Sequence, residues 1–217
     1  MNNSINWPLL AAVRFFLAFI VLSAHLSWYF PSTDYVLKLS KFGSFTAVLG
    51  FLVLSGFSIA ASYTANKQSF YYRRCLRIVP VYFACIFFTV VVMMLKQQEG
   101  SGFSNMELLT ILGHVFFLEG IVVGSLVDNP VLWTLIIEVF FYIITPLIRK
   151  RLHWLLPIVV LSALFFMLQR YIVTPYYSQM LFGTSILFLG WAWLVGFWFY
   201  YHRGDSGAGF FCYQSVG

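Results

Sequence analysis

The sequence predicts an all-α protein, a polytopic transmembrane helix bundle of about six spans plus one re-entrant or interfacial segment. Three observations predict it. Of 217 residues, 61% are hydrophobic and 9% are charged, against about 25% charged in a soluble domain. The mean hydropathy is +0.85. The 13 Lys and Arg residues fall mainly in short clusters between apolar runs, which is what orientation by positive loops produces. The net charge of +6 is therefore a topology signal, not a nucleic-acid one. The aromatic share of 21%, with 25 Phe, suits lipid-facing and interfacial positions.

Taken in order, Met1 to Trp7 is a short polar lead. Pro8 to about Tyr29 is the first span, long enough to cross a bilayer. It does not read as a cleaved signal: no Lys or Arg precedes the run, Arg14 lies inside it, and no A-x-A site follows. Pro31 to Lys41 is a polar loop, and Phe42 to about Tyr63 is the second span. A basic juxtamembrane loop with Arg73, Arg74 and Arg77 follows, and Pro80 falls in the first turn of a third span, Ile78 to Leu95. Further spans are expected at Val131 to Ile148, Trp154 to about Ile172, and Met180 to Tyr201. Residues 1–202 make one transmembrane domain. Residues 203–217, rich in Gly and Ser and without periodicity, read as an unstructured tail. Cys75, Cys85 and Cys212 are odd in number and lack ligand spacing, so free thiols and no metal site are expected.

The apolar piece Leu108 to Val127 is placed by parity. If it does not cross, the cluster Lys67 to Arg77 and the cluster Arg149 to Arg151 fall on one side. The positive-inside rule favours that arrangement, with both clusters and the N-terminus cytoplasmic. Leu108 to Val127 is then re-entrant or interfacial on the outer side, with its polar groups covered by protein or water.

Ionisable groups inside such spans are costly and need a reason. Arg14 and His25 stand eleven positions apart in the first apolar run. On a helix they share a face, about 16 Å apart along the axis. His25 could make a helix–helix hydrogen bond. An imidazole titrating near neutrality is equally suited to general acid/base work, and the company of Arg14 favours that role. Arg14 could snorkel to the interface or hold a phosphate or thioester carbonyl, and both readings stand. Ser55, Ser58 and Ser62 share a face of the second span. Small-residue packing of Gly56 and Ala60 explains that face better than a nucleophilic Ser55, which has no base beside it in sequence. Arg73, Arg74 and Arg77 can set topology and also bind phosphates bidentately. Thr134, Glu138 and Tyr142 recur every fourth residue as a polar stripe, and a mid-span carboxylate such as Glu138 must be protonated, paired or functional. Arg14 and His25 are its natural partners. His114 and Glu119, five apart, do not share a helix face and mark an interfacial segment.

Four motifs in order carry a family resemblance: Arg14-x10-His25; the Phe-Leu-Val-Leu-Ser-Gly-Phe run ending at Phe57; Arg73-Arg74-x-x-Arg77-Ile-x-Pro80; and Trp133-Thr-Leu-x-x-Glu138-x-x-Phe141-Tyr142-x-x-x-Pro146. From Asn6 to Pro146 the chain resembles the acyltransferase-3 family of membrane acyltransferases. The resemblance implies an acyl-CoA donor, commonly acetyl-CoA, with no permanently bound cofactor. It implies a hydroxyl acceptor, usually on a carbohydrate or lipid-linked glycan, and a bacterial inner (plasma) membrane location. Arg14 and His25 match the family's Arg-x10-His pair, regarded as essential, and Trp133, Glu138 and Tyr142 match its Trp-Ser-Leu-x-x-Glu-x-x-Phe-Tyr element. Arg14, His25 and Glu138 are the expected catalytic residues. Arg73, Arg74 and Arg77 match its basic motif, where the CoA phosphates would sit. Ser55, Trp133 and Tyr142 would line the cavity, and Thr134 replaces the usual serine. Family members continue through more spans, so the chain is expected to be truncated at its C-terminus. A transporter or flippase-like relay through Arg14, His25 and Glu138, or an inactive remnant, are the alternatives.

Overall fold

The computed structural model describes residues 5–29, 43–96, 103–126, 129–172 and 180–203. Its helices are α1 (Trp7–Tyr29), α2 (Ser44–Ala65), α3 (Phe70–Lys96), α4 (Asn105–Val115), α5 (Trp133–Lys150), α6 (Leu155–Ile172) and α7 (Thr184–His202). Short 3-10 turns at Pro130–Leu132 and Leu152–Trp154 lead into α5 and α6. No β-strand occurs among the described residues. The expected all-α architecture is what is found.

Helices α1, α2, α3, α6 and α7 are each long and apolar enough to cross a membrane. Helix α5 matches α6 at 18 residues but carries Glu138, Arg149 and Lys150, so charge and not length sets it apart. With 11 residues, α4 is about 16 Å long and cannot cross a hydrocarbon core of about 30 Å. Large apolar side chains point outward along these helices, Phe15 at 74%, Leu95 at 80% and Tyr171 at 86% exposure. In water such a surface would aggregate; in lipid it is the solvated face.

Two boundaries differ from expectation for physical reasons. The basic run before the third span is not a loop: α3 begins at Phe70 and takes in Arg73, Arg74 and Arg77, which leaves Pro80 inside the helix. Arginine is a good helix former, and Arg73 finds acceptors in the preceding turn, so the helix nucleates upstream of the apolar run. The last span starts at Thr184 and not Met180, because Phe182 and Gly183 adopt positive φ of 57° and 68° and turn the chain. The expected loop at Pro31 to Lys41 and the tail beyond Arg203 lie outside the described residues.

The chain divides into two compact units, Met1–Ala61 with Ala192–Gly217, and Ser62–Trp191. In the first, α2 and the C-terminal part of α7 touch backbone to backbone. A Cβ on Gly56 would stand 1.9 Å from the Trp193 carbonyl oxygen, and one on Gly196 would stand 1.8 Å from that of Val53. Only glycine permits this approach, and Ala60 beside it is fully buried. Helix α1 is fitted to the same surface through Leu17, whose Cδ1 lies 3.1 Å from a Cβ position on Gly50. Trp193 and Phe197 stack at 5.2 Å, and Phe57 meets Tyr200 edge-on at 5.6 Å.

In the second unit α5 runs antiparallel to α3. The Tyr71 hydroxyl donates to the Ile143 carbonyl at 3.1 Å, the Arg74 guanidinium lies 5.8 Å from the Tyr142 ring, and Tyr82 and Ile86 pack with Leu132 and Leu135. Helix α5 therefore begins level with the middle of α3. Helix α4 ends at the same level, where the Tyr82 hydroxyl donates to the His114 carbonyl at 3.0 Å. Ser162 of α6 inserts into the backbone ladder of α7, donating to the Leu187 carbonyl at 2.5 Å and accepting from the Trp191 N–H at 3.0 Å. The N-terminus of α4 carries a reciprocal cap: Glu107 N–H donates to Ser104 Oγ at 3.2 Å, and Ser104 N–H donates to Glu107 Oε2 at 2.8 Å.

Two outcomes are expected. Gly56→Val forces α2 off α7 and costs about 3 kcal/mol by overpacking; reversible denaturant unfolding in detergent checks it, and an unchanged midpoint refutes the close crossing. Hydrogen bonds from the Ser104 backbone and side chain hold the Glu107 carboxyl below its ordinary 4.5. A depressed carboxyl stabilises fully above the unfolded value and loses that contribution as pH falls through the folded one. Amide exchange at Asn105 and Met106 therefore quickens below that range, and Glu107→Gln abolishes the pH dependence.

Candidate functional site

The predicted site residues fall into two groups, one in each unit. Arg14, His25 and Ser55 belong to the first; Arg73, Arg74, Arg77, Trp133, Glu138 and Tyr142 belong to the second.

Helix α1 is unbroken from Trp7 to Tyr29, so Arg14 and His25 do lie on one face of one helix. Arg14 is half-buried. Its Nη2 donates to the Leu54 carbonyl of α2 at 3.1 Å and to Ser58 Oγ at 2.9 Å. The two N–H groups of this one nitrogen serve the two acceptors, one turn apart on α2. Ser58 and Ser55 are both buried, at 7% and 4% exposure. Of the polar face shared by Ser55, Ser58 and Ser62, it is Ser58 that meets the arginine. His25 is half-buried, three turns further along α1.

The three arginines of α3 have separate surroundings. Arg73 closes the C-terminal end of α2. Its Nη2 donates to the carbonyls of Ser62 and Asn66 at 3.3 and 3.0 Å, and its Nη1 to Ser69 Oγ. A cation over the last carbonyls of a helix satisfies orphan acceptors and opposes the negative end of the dipole. Arg74 lies 5.8 Å from the rings of Phe70 and Tyr142, a cation–π arrangement. Arg77 is exposed.

On α5, Trp133 opens the helix and is half-buried, with the Thr134 hydroxyl donating to the Val131 carbonyl at 3.2 Å. One turn on, Glu138 Oε2 accepts from the Tyr142 hydroxyl at 2.8 Å. The stripe read from the i, i+4 spacing thus exists as a bonded pair, and Tyr142 passes on to Arg74. Tyr142 is buried, and Glu138 is half-buried.

Sequence reasoning missed one cluster. His114 and Glu119 are 0% and 1% exposed, and Nε2 stands 3.2 Å from Glu119 Oε2. Helical spacing kept them apart on paper. In the structure α4 stops at Val115, and a turn brings Glu119 back over the end of the helix. Gly120, at φ 70°, was the available signal for that turn. Among the described residues no group of three His, Cys, Asp or Glu could hold a metal ion.

Comparisons with curated proteins and with solved structures gave no match. A comparison with family models gave one, an acyltransferase domain, over residues 8–208. That interval holds all the site residues above and nearly the whole of the 217-residue chain. The chain belongs to the acyltransferase-3 family and is a multi-pass membrane acyltransferase.

Proposed function

We propose that this protein moves an acyl group, acetyl in the simplest case, from acyl-CoA to a hydroxyl of a cell-surface carbohydrate or lipid-linked glycan. Its home on this reading is a bacterial plasma membrane, with both basic clusters cytoplasmic as the positive-inside rule favours. The observation that carries the reading is α1 itself. It holds a titratable imidazole three turns along from an arginine, and that arginine is bonded to the neighbouring helix.

The donor enters from the cytoplasmic side. Arg77, exposed on α3, binds its phosphates, while Arg73 is committed to the end of α2 and Arg74 to aromatic rings. An extended pantetheine arm covers about the 16 Å that separates Arg14 from His25 by helix rise. His25 takes the proton of the acceptor hydroxyl as its oxygen attacks the thioester carbon. The carbon–oxygen bond forms, the carbon–sulfur bond breaks, and the proton returns to the leaving thiolate. Arg14 positions His25 by fixing α1 against α2. Glu138, half-buried and accepting from the Tyr142 hydroxyl, is the acidic member of the second group of site residues.

Release of CoA thiol from radiolabelled acetyl-CoA, in membranes supplied with the acceptor glycan, tests this. His25→Ala is expected to lose about 100- to 10,000-fold in kcat. Full activity in that variant removes His25 from the chemistry, and no thioester cleavage by the wild type removes the enzyme reading. Arg14→Lys, whose shorter stem cannot set a nitrogen where Nη2 meets Leu54 and Ser58, loses about tenfold or more. Arg77→Ala raises the KM for acyl-CoA with kcat retained, whereas Arg73→Ala lowers the amount of folded protein. If Arg73→Ala instead folds normally and raises KM, the phosphate site lies there.

A further inference from the structure

We propose that His114 and Glu119 share one buried proton, and that this proton locks the loop Phe116–Leu126 onto α3 and α4 and so fixes where α5 begins.

The proton follows from the bonding. Nδ1 of His114 lies 2.8 Å from the Thr110 carbonyl oxygen. A carbonyl oxygen only accepts, so Nδ1 carries a hydrogen. Nε2 of a neutral ring in that tautomer presents a lone pair. It faces Glu119 Oε2 at 3.2 Å, inside ion-pair distance but short of hydrogen-bond geometry. Oε1 of Glu119 is buried with no hydrogen-bond partner among the described residues. A lone pair against a carboxylate, with both side chains sealed from solvent, repels. One hydrogen between them removes the repulsion, whether drawn as imidazolium with carboxylate or as imidazole with carboxylic acid. The two drawings hold the same single proton, and it belongs to the pair.

The loop that this proton closes is attached on every side. Leu118 N–H donates to the Gly113 carbonyl at 2.8 Å, and Phe117 N–H to that of His114 at 2.9 Å. The Phe117 ring stacks on Tyr82 of α3 at 4.2 Å, though its φ of 57° is one that non-glycine residues rarely adopt. The turn before α7 joins here, with Phe182 N–H donating to the Ile121 carbonyl at 3.0 Å and Gly183 N–H to that of Gly120 at 2.8 Å. At the far end Asn129 N–H donates to the Leu126 carbonyl at 3.1 Å, and Asn129 Nδ2 to Thr89 Oγ1 of α3 at 3.0 Å. Helix α5, with Trp133 and Glu138, starts four residues later. Among the described residues the other titratable group facing the pair is the Tyr82 phenol, which donates to the His114 carbonyl. Near Gly120 stand the Met180 carbonyl of the turn before α7 and the Ser185 hydroxyl of α7, neither of them charged.

Loss of the shared proton leaves the lone pair facing a carboxylate, so the lock weakens as pH rises. The outer side of the membrane, where the parity argument puts this loop, is the side whose pH the cytoplasm does not buffer.

Amide exchange of Phe117 to Gly120 in the full chain in lipid nanodiscs tests the lock. Read as protection relative to the unstructured rate between about pH 6 and pH 9, wild-type protection is expected to fall about tenfold or more. Glu119→Gln offers an amide N–H to Nε2 without titrating, so its protection stays high and flat with pH. Glu119→Leu offers nothing, and its protection is low throughout. A Glu119→Gln profile that follows the wild type, or wild-type protection in Glu119→Leu, overturns the proposal. If Glu119→Leu does not fold, the wild-type and Glu119→Gln profiles decide alone. The consequence for catalysis rests on the acyltransferase reading: Glu119→Gln flattens the high-pH fall of kcat and leaves the donor KM unchanged. The exchange measurement uses no acyl donor, so it stands or falls apart from that reading.

Discussion

A hydrocarbon core holds no water, so each polar group that enters it must find its partner in the protein. Two solutions appear here, with different consequences. Ser23, Thr89, Thr110 and Thr145 donate to the carbonyl four residues back in their own helices. Those bonds satisfy the hydroxyl and say nothing about packing. Arg14, Tyr71, Tyr82, Asn129 and Ser162 instead reach a different segment of the chain. Interhelical hydrogen bonds in membranes average only about 0.6 kcal/mol. Their contribution is therefore register more than stability. The stability comes from close approach, as where Gly56 and Gly196 bring α2 and α7 into backbone contact. Close packing holds the helices together, and the few cross-links decide at which height each one sits.

This division explains how much of the fold could be read from residues. The spans are legible because lipid demands long apolar runs, and composition alone reports that demand. Helix ends are less so. The start of α3 depends on Arg73 finding acceptors in Ser62, Asn66 and Ser69, a tertiary fact that no local propensity contains. Without it, a basic stretch before an apolar run reads as a loop, and Pro80 reads as an N-terminal proline. The stop of α4 at Val115 is similar. The sequence stays apolar through Val123, yet the helix ends because the loop gains Tyr82, the turn before α7, and the His114–Glu119 contact. The capping box at Ser104 and Glu107 was there to be read from its spacing, and marks the other end of that helix.

The candidate site was legible in proportion to how local its logic is. Arg14 with His25, and Glu138 with Tyr142, are helical spacings, and each survives as a shared face or a bond. The roles of the arginines are not local. Three guanidiniums within five residues look equivalent in sequence, but one closes a helix, one lies on aromatic rings and one is exposed. Ser58, and not Ser55, receives Arg14, a choice made by the rotation of α2 about its axis. Spacing places both serines on the same broad face and cannot separate them.

Arg14 and Arg73 show why loss of activity is a weak guide to mechanism in such a bundle. Each is a residue that an acyl-CoA reading would assign to the donor, and each is also bonded to backbone carbonyls of α2. Replacing either one removes a cation and leaves acceptors inside the protein without their donor, at a cost of about 1–3 kcal/mol apiece. A drop in turnover then mixes lost chemistry with a shifted helix. The two separate only where the substitution keeps one property and alters the other. Lysine at position 14 keeps the charge and loses the reach of Nη2 to Leu54 and Ser58. Arg77 is exposed and can lose its charge without taking a donor from α2. The contrast between those positions, and not the size of any single loss, is what would distinguish a group that binds a donor from one that holds a helix in place.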